Sequence, residues 1–221
     1  MGGEVRFLDG VSDDFAALPP MSHGKGDIIV AMKILRCTLV LLAAIAFAWP
    51  AAAQQKRLSP HETVSAVIDG NRVTVVYGRP YIKNSKTGEI RKIWGGLVPY
   101  GKIWRTGADE ATLLITQKPI ELGGSTIPAG AYSLWTLPIA EGKAKLIVNK
   151  QIGQWGESPR GSKQTYDEAL DVARIDLKKD AALEHPADQF TITVAQDPSG
   201  GGTLKMTWEN VQYSTTIRAK K

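Results

Sequence analysis

From residue 59 onward, apolar and polar positions alternate with a period of two, the pattern of strands that bury one face and wet the other. Val64, Ala66 and Ile68 alternate with Thr63, Ser65 and Val67. Asp69-Gly70 follows, and an Asp-Gly pair readily adopts the positive φ angles of a type I′ turn. Val73, Val75 and Tyr77 resume the alternation, so this stretch predicts a β-hairpin with Tyr77 in the core. Further strands are predicted at Ala111–Thr116, Pro119–Leu122, Ala131–Leu137 and Lys145–Asn149, with Gly123-Gly124, Pro128-Ala129-Gly130 and Gly142 as turns. Four clean period-two segments complete the chain, centred on Ile175, Ile192, Met206 and Tyr213. The single helical stretch, Ser162–Leu170, is long enough for a turn or two, and no internal repeat is present.

Many short strands divided by Gly and Pro predict an all-β fold, an antiparallel β-sandwich of jelly-roll or immunoglobulin-like type. Two long stretches interrupt it. Residues 78–110 are punctuated by Gly78, Pro80, Gly88, Gly95, Gly96, Pro99, Gly101 and Gly107, and residues 150–166 by Gly153, Gly156, Pro159 and Gly161. Loops this long inside one domain commonly carry function. They are expected to lie near each other at one end or over one face.

The N-terminal pattern is different. Lys33 and Arg36 form a positive n-region after Met32, Cys37–Trp49 form an apolar run, and Ala51-Ala52-Ala53 offer a small-residue cleavage site before Gln54. This is the layout of a secretory signal peptide, and the run is short of the ~20 residues of a membrane span. The expected organisation is therefore residues 1–31 as a mis-called start or disordered extension, 32–53 as signal peptide and 54–221 as the mature domain, without a transmembrane segment. Met21 is an alternative start. The product is expected in the periplasm or secreted from a bacterial cell.

Composition sharpens this picture. Cys37 is the only cysteine and falls in the signal, so the mature chain has no disulfide, thiolate nucleophile or cysteine metal site. A lipoprotein cysteine would follow the apolar run, whereas Cys37 begins it. Removing residues 1–53 leaves 23 Lys and Arg against 17 Asp and Glu, a net charge of +6. With interspersed charges and an extracytoplasmic location, nucleic acid is not an expected partner. His61 and His185, the only histidines of the mature chain, read as surface loop residues, and no metal or other cofactor is expected.

The densest chemistry is Ile93-Trp94-Gly95-Gly96-Leu97-Val98-Pro99-Tyr100-Gly101-Lys102-Ile103-Trp104-Arg105-Thr106-Gly107-Ala108-Asp109-Glu110-Ala111-Thr112. This run resembles the pattern V-P-Y-G-x-x-W-R-T-G-x-[ND]-E-A-T of the DUF2911 family of exported bacterial proteins. Pro128–Leu134, Asn149-Lys150 and Gln154-Trp155-Gly156 add to the likeness, which covers most of 59–217. The resemblance implies export and fold without assigning an activity. Two departures stand out: Asp109 where the family pattern leads one to expect Asn, and Glu157-Ser158-Pro159-Arg160-Gly161 in place of an aromatic-rich continuation.

These residues support two readings. In one, Arg105 pairs with Asp109 or Glu110 and pins the long loop to the sheet, with Trp94, Tyr100 and Trp104 as apolar anchors. In the other, Arg79, Trp94, Tyr100, Trp104, Arg105, Asp109, Glu110 and Trp155 line a ligand cleft, with aromatic rings stacking on a sugar or apolar group and Arg105 holding a carboxylate. Arg79 adds a second cation to such a cleft, or forms a salt bridge with a loop carboxylate. A retaining glycosidase needs two carboxyl groups ~5 Å apart, and neighbours such as Asp109 and Glu110 on an extended strand point to opposite faces. No nucleophile elbow or dinucleotide-binding glycine motif is present, and no catalytic residue is assigned. The expected function is a non-catalytic binding module for a carbohydrate, cell-envelope component or protein partner. The alternatives are a glycan hydrolase or lyase using loop carboxylates, and a purely structural envelope protein.

Overall fold

The Asp69-Gly70 turn closes the first hairpin as its sequence predicts. Strand β1 (His61–Ile68) pairs antiparallel with β2 (Asn71–Gly78), with Ile68 opposite Asn71 and with φ of 48° at Asp69 and 76° at Gly70. The computed structural model describes residues 57–155 and 166–220, with Gly24 and six helical positions between Ile29 and Arg36 in the N-terminal segment. The chain divides into two units, 1–55 and 56–221. The apolar run from Cys37, the Ala53-Gln54 cleavage site and the segment Glu157–Gly161 lie outside the described residues. No helix among the described residues is long and apolar enough to cross a membrane.

Nine further strands follow in unit 56–221: β3 (Ala108–Thr116), β4 (Ile120–Leu122), β5 (Ser125–Ile127), β6 (Gly130–Ile139), β7 (Lys143–Asn149), β8 (Asp171–Lys179), β9 (Ala187–Gln196), β10 (Gly202–Glu209) and β11 (Val211–Ala219). All pairings between them are antiparallel, along the path β1-β2-β3-β6-β7-β8-β11-β10-β9, with β4 and β5 as a small flap on β11. The path curls until its two ends meet. Beyond β2, Tyr81 bridges Gln189 of β9, the Phe190 N–H donates to the Pro80 carbonyl at 2.9 Å, and the Ile82 N–H donates to the Asp188 carbonyl at 2.7 Å. The result is a nearly closed, barrel-like sheet rather than two clearly separate layers. Closure removes most of the unpaired sheet edge. The helical stretch predicted over 162–170 appears, in its described part, as a single 3-10 turn at Glu168–Leu170.

Period-two alternation explains where the core sits. Val73, Val75, Leu114, Leu134, Leu146, Ile175, Ile192, Leu204 and Ile217 come from eight strands and belong to one buried cluster inside the curl. Trp135 and Ile147 occupy the intervening positions and project to the other face. There they pack with Ala111 and are covered by Ile103, Leu137 and Tyr166. The described parts of the two long loops also meet. The Arg105 Nη1–H donates to the Trp155 carbonyl at 3.0 Å, and the Ala111 N–H to the Gln154 carbonyl at 2.7 Å.

The seam has its own side-chain ladder. The Tyr77 hydroxyl accepts the Ile192 N–H at 2.8 Å and shares its proton between the Ile192 carbonyl (3.3 Å) and Glu62 (3.2 Å). Arg79 bonds the Phe190 carbonyl at 3.1 Å and the Thr191 hydroxyl at 2.8 Å, and pairs with Glu62 at 2.7 Å. A phenol and a guanidinium thus replace strand pairing where β2 and β9 face one another.

Candidate functional site

The end of the barrel where β2 stops and β3 begins is closed by the long loop. Backbone contact is close there: a Cβ on Gly78 would sit 2.3 Å from the Ala108 carbonyl oxygen, so only glycine fits. Within the loop, Trp104 forms an isolated bridge with Thr136 of β6, its N–H donating to that residue's carbonyl at 2.8 Å and its own carbonyl accepting back at 2.7 Å. Trp104 thereby stacks on Trp208 of β10 (ring centroids 5.7 Å apart, planes at 22°) and meets Phe190 edge-on at 5.0 Å. Trp94 packs perpendicular to Trp104 at 6.1 Å and to Tyr213 at 5.7 Å. Aromatic pairs in this geometry add to what burial alone provides, so the loop's tryptophans are its plug.

The first residues of β3 form a wide irregularity. Between the pairs Gly78–Ala108 and Val76–Leu113, β2 advances two residues while β3 advances five. Asp109 adopts a positive φ of 64° within this bulge. Bulges re-aim side chains, and here the consequence corrects the strand-based expectation: Asp109 and Glu110 do not diverge. Both reach His61 on β1, whose Nε2 lies 3.0 Å from Asp109 Oδ2 and 3.7 Å from Glu110 Oε2. His61 is thus the first residue of a strand and partner to two carboxylates, not a loop residue. His185 is an exposed loop residue. The bidentate guanidinium pair with Glu110 is made by Arg57, with both N–H···O distances at 2.6 Å. That hydrogen bonding holds the Glu110 carboxyl below the usual glutamate range. No group of three or more His, Cys, Asp or Glu among the described residues is arranged to hold a metal ion.

Beside the plug lies a cleft of about 600 Å³. Its lining includes Trp104, Arg105 and Asp109 from the sequence-predicted set, and adds Trp135, Trp208, Lys83, Arg91 and Lys102. The other predicted residues sit around it. Arg79 is engaged at the seam, Trp94 is in the plug, and Glu110 is held by Arg57. Tyr100 is exposed, with its ring over Gly95, and Trp155 is exposed next to the loop contact made by its own carbonyl.

The cleft is electrically one-sided. Lys83, Arg91, Lys102 and Arg105 line it, against Asp109 alone. Arg91 donates to the backbone carbonyls of Ile82 and Tyr81. Among the described residues, Lys83, Arg91 and Lys102 form no ion pair. On the floor, Trp208 is fully buried, and its Nε1–H finds no acceptor among the described residues. The three unpaired cations were absent from the sequence-derived site, although a signal for them exists. Between Gly78 and Ala108 the chain carries seven Lys and Arg against one Glu, a local bias hidden by the whole-chain average.

Comparison with curated proteins and with solved structures gives no match. A family model described as "Protein of unknown function (DUF2911)" matches residues 59–217, from just before β1 into β11, and therefore includes the whole lining of the cleft apart from Leu58. The barrel, its plugged end and the cleft are thus the body of the matched region, and the chain belongs to the DUF2911 family.

Proposed function

We propose that the protein is exported and acts outside the cytoplasm as a non-catalytic binding module, whose small ligand, a carbohydrate or other component of the cell envelope, seats in the cleft beside Trp104. The observation that carries this reading is the cleft itself. It is concave, it has the volume typical of small-molecule sites, and aromatic rings and hydrogen-bonding groups line it. A protein partner fits such a concavity less well than a flat surface. The glycan hydrolase alternative needs two carboxylates flanking one bond. Asp109 is the only acid among the described lining residues, and it is already engaged with His61.

The test is a thermal-shift and tryptophan-fluorescence screen of the purified protein against neutral and acidic monosaccharides, chitin and peptidoglycan fragments, and short glycans. A ligand specific for the native state at ~100 times its Kd adds ~2.7 kcal/mol of stability. Such a ligand should also perturb the emission of Trp104. A hit that survives unchanged in a folded Trp104→Leu variant would remove the cleft from the reading, and silence across the screen would remove small-ligand binding. Export is checked separately by sequencing the N-terminus of the protein recovered outside the cytoplasm. Gln54 as first residue supports it, and a protein retained in the cytoplasm with residues 1–53 intact refutes it.

A further inference from the structure

Resting on the cleft being a ligand site, we infer that its ligand class is an anion carried on a sugar-sized ring, with a carboxylate or phosphate held among Lys83, Arg91 and Lys102 and the ring against Trp104. Three independent observations converge on this chemistry.

The first is charge. Arg57, Arg79, Lys145 and Arg174 have carboxylate partners within 3.0 Å, and other cations such as Arg72, Lys143 and Arg218 have none among the described residues, so what sets the cleft apart is convergence. Lys83, Arg91 and Lys102 face one concavity and have none among the described residues. A concave, partly desolvated surface lined by one sign of charge focuses its field and concentrates ions of the opposite sign. The single acid in the wall, Asp109, is outnumbered by these cations, and its nearest partner is His61 at 3.0 Å.

The second is the unsatisfied donor. A buried indole N–H ordinarily finds an acceptor. Trp208 is fully buried where it borders the cleft, and its N–H has no acceptor among the described residues, so the wall holds a donor that an oxygen-rich guest would satisfy once neighbouring side chains shift to admit it. The third is shape. About 600 Å³ is more than an isolated phosphate or carboxylate occupies, and the half-buried Trp104 in the wall gives a ring an aromatic surface to rest against. Arg91 is pre-oriented for the anion, since its bonds to the Ile82 and Tyr81 carbonyls hold the guanidinium in place without neutralising it.

The experiment is a calorimetric and fluorescence titration of the purified protein with four probes at fixed ionic strength: glucuronate, glucose 6-phosphate, glucose and inorganic phosphate. The expected result is that at least one charged sugar binds tenfold or more tighter than both glucose and phosphate. Its affinity should fall with added salt. The choice between the two charged sugars identifies the anion. Lys83→Gln/Lys102→Gln changes two exposed side chains, so it should leave the melting temperature within about a degree while weakening the charged sugar at least tenfold. Arg91→Lys keeps the charge but loses the fork, and should weaken binding less.

Glucose binding as tightly as glucuronate and glucose 6-phosphate, with no effect of the double variant, overturns the anion and leaves the binding-module reading standing. Phosphate binding as tightly as glucose 6-phosphate overturns the ring. Failure of both charged sugars to bind at millimolar concentration overturns the inference. The proposed function falls with it only if the neutral glycans are silent as well.

Discussion

Replacing Tyr77 by Phe removes one oxygen from the seam and leaves the ring in place. The ring is almost fully buried and meets Phe190 edge-on at 5.8 Å, so packing should survive. What is lost is the hydroxyl that accepts the Ile192 N–H at 2.8 Å and donates toward the Ile192 carbonyl and Glu62. Ile192 itself is fully buried, and strand β9 has no neighbouring strand there to take over. Orphaning a buried backbone group costs ~1–3 kcal/mol, and Glu62 keeps Arg79 as its partner. The expected loss is about 2 kcal/mol, and for a domain of this size each kcal/mol moves Tm by ~2–4 °C. Differential scanning calorimetry should therefore show a fall of about 4–8 °C, and hydrogen exchange should show the Ile192 amide losing protection ahead of its neighbours.

Alkaline pH gives a second readout. Burial, as the largest cause, pushes the Tyr77 phenol up to about 12. The folded protein then keeps a proton that the unfolded chain gives up above ~10. Stability contributed by this group is full below that point and declines as pH rises through about 12. The Phe variant should lack that decline. A Tm change under about a degree, with the amide still protected, would refute the view that the hydroxyl substitutes for strand pairing.

Three further outcomes are expected. Gly78→Ala should cost about 3 kcal/mol or more, because the new methyl meets the Ala108 backbone and not a flexible side chain; urea unfolding would read it. Asn71→Ala should cost about 2–3 kcal/mol by the same assay with an unchanged m-value, since the buried amide accepts from the Lys118 N–H and donates to the Lys118 carbonyl and Thr116 hydroxyl, each at 3.0 Å. Glu110→Gln should flatten the acid side of the stability profile. The Arg57-paired carboxyl is depressed in the folded state, so its contribution is present at neutral pH and is lost as pH falls through the folded value. Parent and variant melting curves should converge in acid, and curves that stay parallel down to acid unfolding would contradict the pairing.

The strands were legible because period-two burial is a local property. Tyr77, Ile175, Ile192 and Met206 each sit in a run whose alternation survives whatever the neighbouring strands are, and Asp69-Gly70 determines its own turn through backbone sterics. Strand β5 was missed, since three residues after Gly123-Gly124 carry too little pattern to register. The site was legible in part. Trp104, Arg105 and Asp109 stood out as chemistry in a glycine-rich loop, whereas Lys83, Arg91 and Lys102 read as ordinary solvated charges.

By itself, the sequence determined the all-β class, the first hairpin, the inward side of each long strand and the loop that carries the unusual residues. These depend on side-chain polarity and φ preferences within a few residues. Only the tertiary structure decided that the sheet curls until Pro80 and Ile82 bond β9, that a bulge at Asp109 turns two neighbouring carboxylates onto His61, and that Arg57 takes Glu110. It also decided that three cations with no ion pair among the described residues share one cleft with a buried indole. Each of these joins residues separated by tens of positions. No local pattern encodes them, because closing a sheet is a balance of packing and hydrogen bonding over the whole domain.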